Sequence, residues 1–453
     1  MKQIFTLVLI TLLGNYLSAQ TEVSGNQSGS WIAADSPYLV IGEILVPSGE
    51  TLIVEAGVEV NFQAHYKFIV NGTIQVMGIA TDSVVFTTDD PDIGWGGIRI
   101  DGTDNHVFNY CRIEYGKTQG EYPDNHGGGM ALMGSNVAFS HCTFAHNDAT
   151  GEDNGMGGAI YAFGLSTTTF VNCLFYQNHA YGEGGAIEFS SDYGTTFYDC
   201  QFIQNDCNYG GGAVACYLVE GTTFTNTLFA ENYTMYSNGG AVQISGMGNN
   251  AYFENTTMSE NTAVTGDGGA MNVAYGTAYM TNCIVYQNDG MYSDDVNLDM
   301  AGNAEINYCN MTIPDGAIGG NNISIDPQFV NAEILDFHLQ ESSPCIDAGT
   351  DLGYPYWGDA PDMGCFEYED PDGVSSENSI NYSIYPNPTK DLLFVKGDMI
   401  DMDIQLLDIS GKSLSTSLID NNRIDLSHLQ SGVYFIVIKD NYHETVRLRA
   451  IKN

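Results

Sequence analysis

Carboxylates dominate the side chains of this chain that could do chemistry: 56 Asp and Glu stand against 13 Lys and Arg, a formal net charge of −43 over 453 residues. A surface of that sign repels nucleic acid and other polyanions, so nucleic acid is excluded as a natural partner. Two kinds of chemistry suit it. Paired carboxylates can act as acid and base on a glycosidic bond, and clustered carboxylates can hold a hard cation, which makes Ca²⁺ the one cofactor the composition suggests. The glycine-rich nonapeptide that binds calcium in β-rolls does not occur.

Cation-dependent chemistry is harder to place. A uronate lyase needs a base and a positive group to neutralise the substrate carboxylate, yet from Thr118 to Thr389 there is no lysine or arginine. Between the N-terminal leader and that stretch only Lys67, Arg99, Arg112 and Lys117 are available, and neither Gly-Asp-Asp nor Gly-His-Gly, the pattern of a galacturonase site, is present. Asp89-Asp90 and Asp294-Asp295 read as solvated turn residues, and His126, His141, His146 and His179 as scattered structural or surface groups. The strongest candidates combine aromatic faces with carboxylates, a pairing that suits neutral sugar rings. They are Glu152, Asp153, Tyr181, Glu183, Asp206, Tyr209, Tyr233, Tyr236 and Asp267.

Those residues fall in the segments 148–156, 179–183, 206–210, 233–238 and 262–267, whose lengths vary while their surroundings keep step. The surroundings are a repeat. Glycine pairs ending at Gly129, Gly158, Gly185, Gly212, Gly240 and Gly269 follow one another at steps of 29, 27, 27, 28 and 29 residues. Each copy closes on an apolar residue with asparagine three positions later: Phe144/Asn147, Phe175/Asn178, Phe202/Asn205, Phe229/Asn232, Met258/Asn261 and Val285/Asn288. A fixed period of this length means a solenoid, and length variation at one corner marks its binding surface. Short Thr/Phe-rich runs broken by Gly, Asn and Asp favour strands over helices. The chain is therefore expected to be all-β, a right-handed parallel β-helix solenoid of the pectin-lyase kind. Columns should run through Phe139/Phe170/Phe197/Phe224/Phe253, through Cys142/Cys173/Cys200 and through the asparagines, with a bend at Asn172. The cysteine column, where Thr227 and Thr256 substitute, reads as small buried reduced side chains, with Cys207 and Cys216 as one candidate pair.

The alternation of Gly-Gly-Ala-(Ile/Val) with Phe-x-x-Asn resembles the repeats of the chlamydial polymorphic membrane proteins and of bacterial right-handed β-helix surface proteins. That resemblance implies the fold and a surface location. Residues 339–368, with Ser343-Pro344-Cys345-Ile346-Asp347-Ala348-Gly349 and Asp362-Met363-Gly364-Cys365, are similar to the terminal segment of β-helix proteins carrying a choice-of-anchor Q domain. The resemblance implies a cap over the last coil, and the two cysteines in usually small positions suggest a Cys345–Cys365 disulfide.

At the other end, residues 1–19 have the charge, apolar core and small-residue cleavage site of a signal peptide, and no other stretch is long and apolar enough for a membrane helix. The solenoid should then fill residues 20–338, with a polar linker over 369–379. In 380–453 the charge balance changes, since Lys390–Lys452 carries eight of the thirteen basic residues. Tyr385-Pro386-Asn387-Pro388, Gly432, Tyr434 and the basic end Arg447, Arg449 and Lys452 resemble the type A sorting domain of the Bacteroidetes type IX secretion system, a small antiparallel sandwich. This implies that the partner is the type IX machinery and that the mature protein is secreted or attached to the outer-membrane surface once signal peptide and sorting domain are removed. Two functions are open: a non-catalytic glycan-binding or adhesive protein, or a polysaccharide lyase or glycoside hydrolase working on the loop face.

Overall fold

The structure, a computed structural model, describes residues 20–368 except 151–153, 165–167, 192–193, 294 and 355, and beyond 382 mainly the strands of the C-terminal unit. The expected signal peptide, the linker and the candidates Glu152, Asp153, Pro386, Asn387 and Pro388 lie outside the described residues.

One coil shows how the sequence folds. Strand a, Ile160–Phe163, is followed by strand b, Thr168–Val171, by strand c, Leu174–Tyr176, and by the short strand d, His179–Ala180. Strand b is separated from strand c by the bend region at Asn172, and strand c from strand d at Gln177, both residues in the left-handed region with φ of 51°. The first corner holds His141, Asn172, Asp199, Asn226, Asn255 and Asn282 in neighbouring coils, mostly the side chains that tolerate this conformation best. Every strand of the solenoid pairs in parallel with its counterpart one coil away, the b strands forming a 12-stranded sheet and the d strands a 6-stranded one. At Gly158, Gly185, Gly212 and Gly240 the second glycine of the pair is enforced by backbone proximity: a Cβ on Gly185 would sit 2.0 Å from the Gly212 carbonyl oxygen.

The columns run as expected and further. Phe139, Phe170, Phe197, Phe224 and Phe253 are in register, with ring centroids 4.8, 4.7, 4.7 and 5.0 Å apart. Phe108 precedes them and Met280 and Ile306 follow. A second stack, Phe144/Phe175/Phe202/Phe229, meets the first edge to face, as between Phe170 and Phe175 at 5.5 Å. In the asparagine column each Nδ2 donates to the next Oδ1 at 2.9–3.0 Å, from Asn147 through Asn288. The column cysteines Cys111, Cys142, Cys173 and Cys200 are buried free thiols, Cys111 Sγ lying 3.3 Å from Cys142 Sγ. Burial pushes the Cys142, Cys173 and Cys200 thiols well above their ordinary value, so they stay protonated.

Three expectations are corrected. Cys207 and Cys216 are not joined by a disulfide, because Cys207 packs with Ala149 and Ala180 outside the main core that contains Cys216. Cys345 and Cys365 are likewise free: Cys345 packs with Ile284, Leu339 and Met363, whereas Cys365 joins the cluster around Ile203 and Phe337. The segment carrying them is a lateral strap rather than an end cap. Phe337 packs on Ile203 and Leu228, and Tyr354 on Val171 and Tyr198. Thr350 exchanges two 2.8 Å hydrogen bonds with the Asn282 amide, the last member of an exterior ladder that runs through Asn255 and Asn226 to Asp199. Tyr354 also bonds the Glu254 carboxylate. The strap covers apolar side chains on the outer flank of the coils, among them Ile203, Leu228 and Val171.

The C-terminal unit contains two four-stranded antiparallel sheets. Gly432, Tyr434, Arg447, Arg449 and Lys452 belong to one hairpin, in which Gly432 faces Lys452 and Tyr434 faces Ala450. Tyr385 lies in the other sheet opposite Phe394.

Candidate functional site

The variable segments do converge on one corner. Tyr181, Tyr209 and Tyr236 form an exposed column there with successive ring centroids 6.1 Å apart, Tyr236 remaining 61% exposed. Backbone hydrogen bonds set that spacing, since Tyr209 N–H donates to Gly182 and Tyr236 N–H to Asn208. Three other candidates are occupied otherwise. Asp206 and Tyr233 belong to the d-strand column Lys117, Asp148, His179, Asp206, Tyr233. Charges alternate along it: Lys117 lies 3.5 Å from Asp148, and His179 2.6 Å from Asp206. Burial lowers the His179 pKa, but the Asp206 contact outweighs it and the net shift is upward. Asp267 accepts the Tyr292 N–H at 2.9 Å and so fixes a turn.

Glu183 leads to a feature that the sequence reading missed. In strand a, Ile187 and Phe189 point into the core and Glu188 points outward. In-register positions through the coils are Arg99, Ala131, Tyr161, Glu188, Ala215, Gln243, Asn272 and Asn297. Outward residues of a sheet are ordinarily wet, yet Glu188 is only 3% exposed and Tyr161 and Asn272 are buried. The returning loops cover them: Arg99 Nη1 donates to the Gly127 carbonyl at 2.7 Å, and Asn238 Nδ2 reaches Asn272 Oδ1 at 3.5 Å. One end of the column is satisfied internally, Asn272 donating to Gln243 at 3.1 Å and Asn297 to Asn272 at 2.7 Å. The other end is not. Glu188 Oε2 and Arg99 Nε are buried without a hydrogen-bond partner.

Electrostatics mark the same place. Burial raises the Glu183 carboxyl to about 7; burial and the neighbouring Glu183 raise Glu188 well above the usual carboxylate range. Burial and Glu188 push the Tyr161 phenol up, and burial lowers Arg99 to about 10. His126 sits against Tyr161 at 4.5 Å, accepts the Met156 N–H on Nδ1 at 3.2 Å and is kept neutral by burial. A neutral carboxylic acid, a phenol and a second carboxyl with a raised pKa thus lie on one stretch of the sheet that the returning loops cover. In the next coil both the floor and the flank lack reach: Ala215 follows Glu188 in the column, and Gly210 follows Glu183 along the loops. His141 and His146, by contrast, stack on Tyr110 and Tyr115 at the corners. Among the described residues no three His, Cys, Asp or Glu side chains are grouped so as to hold a metal ion.

Residues 79–258 match the family described as right handed beta helix region, and residues 383–452 match the secretion system C-terminal sorting domain. A similar solved structure is the tailspike protein gp49 of Acinetobacter baumannii bacteriophage Fri1, described as a capsular polysaccharide depolymerase. It is 10% identical over 89% of this chain and 73% of its own, with a TM-score of 0.28, and at that level it carries no functional argument. No curated protein matches the chain. The molecule is therefore a right-handed parallel β-helix followed by a sorting domain of the type IX system, and that machinery exports it to the cell surface or beyond. No helix among the described residues is long and apolar enough to cross a membrane.

Proposed function

We propose that the exported solenoid, freed of its signal peptide and sorting domain, binds glycan chains along its loop face. The observation that carries this reading is the exposed tyrosine column Tyr181/Tyr209/Tyr236. The rings follow one another at 6.1 Å, turned 61° and 43° to each other, so a chain laid along the column meets an aromatic face or edge at each coil. Without lysine or arginine from Thr118 to Thr389, the face suits neutral sugars better than polyanions. Affinity electrophoresis against neutral and acidic polysaccharides tests it. Retardation by a neutral glycan should vanish in the Tyr181→Ala/Tyr209→Ala/Tyr236→Ala variant, and equal retardation of variant and parent would remove the reading. A polysaccharide-degrading enzyme is the second reading, favoured by the buried Glu188 carboxyl, whose Oε2 has no hydrogen-bond partner.

A further inference from the structure

We propose that a cavity at the far end of the loop face, lined by Tyr292, Ser324 and Asp326, binds the terminal sugar of a neutral glycan chain. The inference rests on the glycan-binding reading for its ligand and gives the tyrosine corner a fixed end. Asp289–Gly290 is the last of the d strands. In the coil after it Asn310 bridges Ile284, so the place four residues on, which Asn288 holds in the asparagine column, falls to Pro314. Proline has no amide to extend that column and no backbone N–H for a further strand. Asn288 Nδ2 donates instead to Asp295 Oδ1 at 3.2 Å, and Asp295 Oδ2 takes the Thr312 N–H at 3.3 Å. The chain turns straight back to Ile318–Gly320, which pairs with the b strand Asn303–Asn307, and among the described residues no d or a strand intervenes. It then returns to bridge Asn310 at Ile323. A cavity of about 460 Å³ stands at the corner so abandoned, between Thr312 and Pro314 on one side and Ser324 to Asp326 on the other.

Its floor is buried and apolar, with Val285, Val296 and Met311, and its rim is exposed and polar, with Tyr292, Ser324 and Asp326. Small-ligand pockets run to about 300–1,000 Å³ and join such a floor to a few placed polar groups. The apolar face of a pyranose can lie on the floor, while the Asp326 carboxylate accepts from its hydroxyls and the Ser324 hydroxyl donates to its oxygens. Asp326 is fixed in place by the Gln328 N–H, 2.9 Å from its Oδ1. Burial and Asp326 raise the phenol of Tyr286, another lining residue, which keeps its proton as a second donor. No lysine or arginine lies between Thr118 and Thr389 to neutralise an anion, and Asp295 and Asp326 repel one. The cavity also continues the tyrosine corner. Tyr292 stands two residues beyond its d strand, as Tyr209 and Tyr236 do beyond theirs, with Thr265 in that place in the coil between. Met291 N–H donates to the Gly266 carbonyl and Tyr292 N–H to Asp267, which keeps the corner in step. Two coils separate Tyr236 from Tyr292, roughly 10 Å at the usual strand spacing. No further coil follows at this corner among the described residues, so a chain laid along the tyrosines meets the cavity with its end.

The test titrates the full-length exported protein with short oligosaccharides of glucan, mannan, xylan and galactan by calorimetry, beside affinity electrophoresis of the corresponding polymers. One series is expected to bind at a single site per molecule. Ser324→Trp, which fills the cavity from its exposed rim, should abolish that binding, whereas the disaccharide should still bind the Tyr181→Ala/Tyr209→Ala/Tyr236→Ala variant. Asp326→Asn keeps an acceptor for Gln328 and should weaken binding; an affinity equal to the parent's overturns the pocket even where circular dichroism shows Ser324→Trp to be misfolded. Oligosaccharides that bind a folded Ser324→Trp as they bind the parent overturn it too, and polymer retardation that still depends on the tyrosines then leaves the binding reading intact. Retardation indifferent to the tyrosines, with oligosaccharides still blocked by Ser324→Trp, fells the column and supports the pocket. Absence of binding by either measure fells both. Galacturonan oligosaccharides, the acidic control, should not bind, and their binding overturns the neutral class.

Discussion

Two polar columns climb the same coils and are built on opposite terms. In the asparagine column every side chain is spoken for: Asn205 Nδ2 donates to Phe175 O and Asn232 Oδ1, while its Oδ1 receives Asn178 Nδ2 and the Asn178 N–H. The column from Arg99 to Asn297 changes residue type at almost every step and leaves Glu188 and Arg99 incompletely bonded. Repetition satisfies groups because each coil supplies what the next one needs. Where the residue changes from coil to coil, satisfaction has to come from elsewhere, and that is the place to look for a ligand.

The difference can be broken from the ordered side first. Phe197→Ala, in the middle of the stacked rings, should lower unfolding stability by about 3–5 kcal/mol. Asn205→Ala should cost about 2–4 kcal/mol by orphaning its buried donors and acceptors; a urea midpoint unchanged by either would mean the columns do not hold the coil. On the other side the sign reverses. Glu188→Gln should stabilise the protein by about 1–2 kcal/mol at neutral pH, because an amide is cheaper to bury there than an ionisable acid. The pH profile sharpens this. Glu183 keeps its proton in the fold up to about 7 but releases it near 4.5 when unfolded, and Glu367 behaves alike. The native state therefore binds more protons over that window, so stability should fall as pH rises from about 4.5 to about 7. Thermal melts across that range should show a shallower fall in Glu183→Gln, and a parallel profile would discredit the assignment. The smallest effect belongs to the exposed rings: Tyr236→Ala should move stability by no more than about 0.5 kcal/mol, so a large loss would make it structural.

Much of the scaffold is written in the chain because a solenoid turns period into adjacency. Phe170, Phe197 and Phe224 could be placed one above another from spacing alone, whereas for the tyrosines only the corner was legible, not the column of Tyr181, Tyr209 and Tyr236 with Tyr233 outside it. Glu188 escaped notice because an isolated acidic residue between Ile187 and Phe189 reads as the wet side of an alternating strand. Only the loops, whose path has no repeat, show that it is covered. Aligning the copies at that position, with Ala131, Tyr161, Glu188, Ala215, Gln243 and Asn272, was the available signal. The strap was hidden for a related reason: Phe337 and Tyr354 have no counterparts at the period, so nothing local indicated that they would dock on coils 100 or more residues earlier.

That strap changes what kind of object the solenoid is. An unstrapped array behaves as a chain of neighbours and can fray from its end one turn at a time. Here Asn310 bonds Cys345, Asn282 holds Thr350, and Tyr354 reaches back to Tyr198, so the late turns are tied to the middle ones by a single covalent thread. Loosening the final turn means peeling that thread off the middle as well, which makes the latter half of the rod melt as one block.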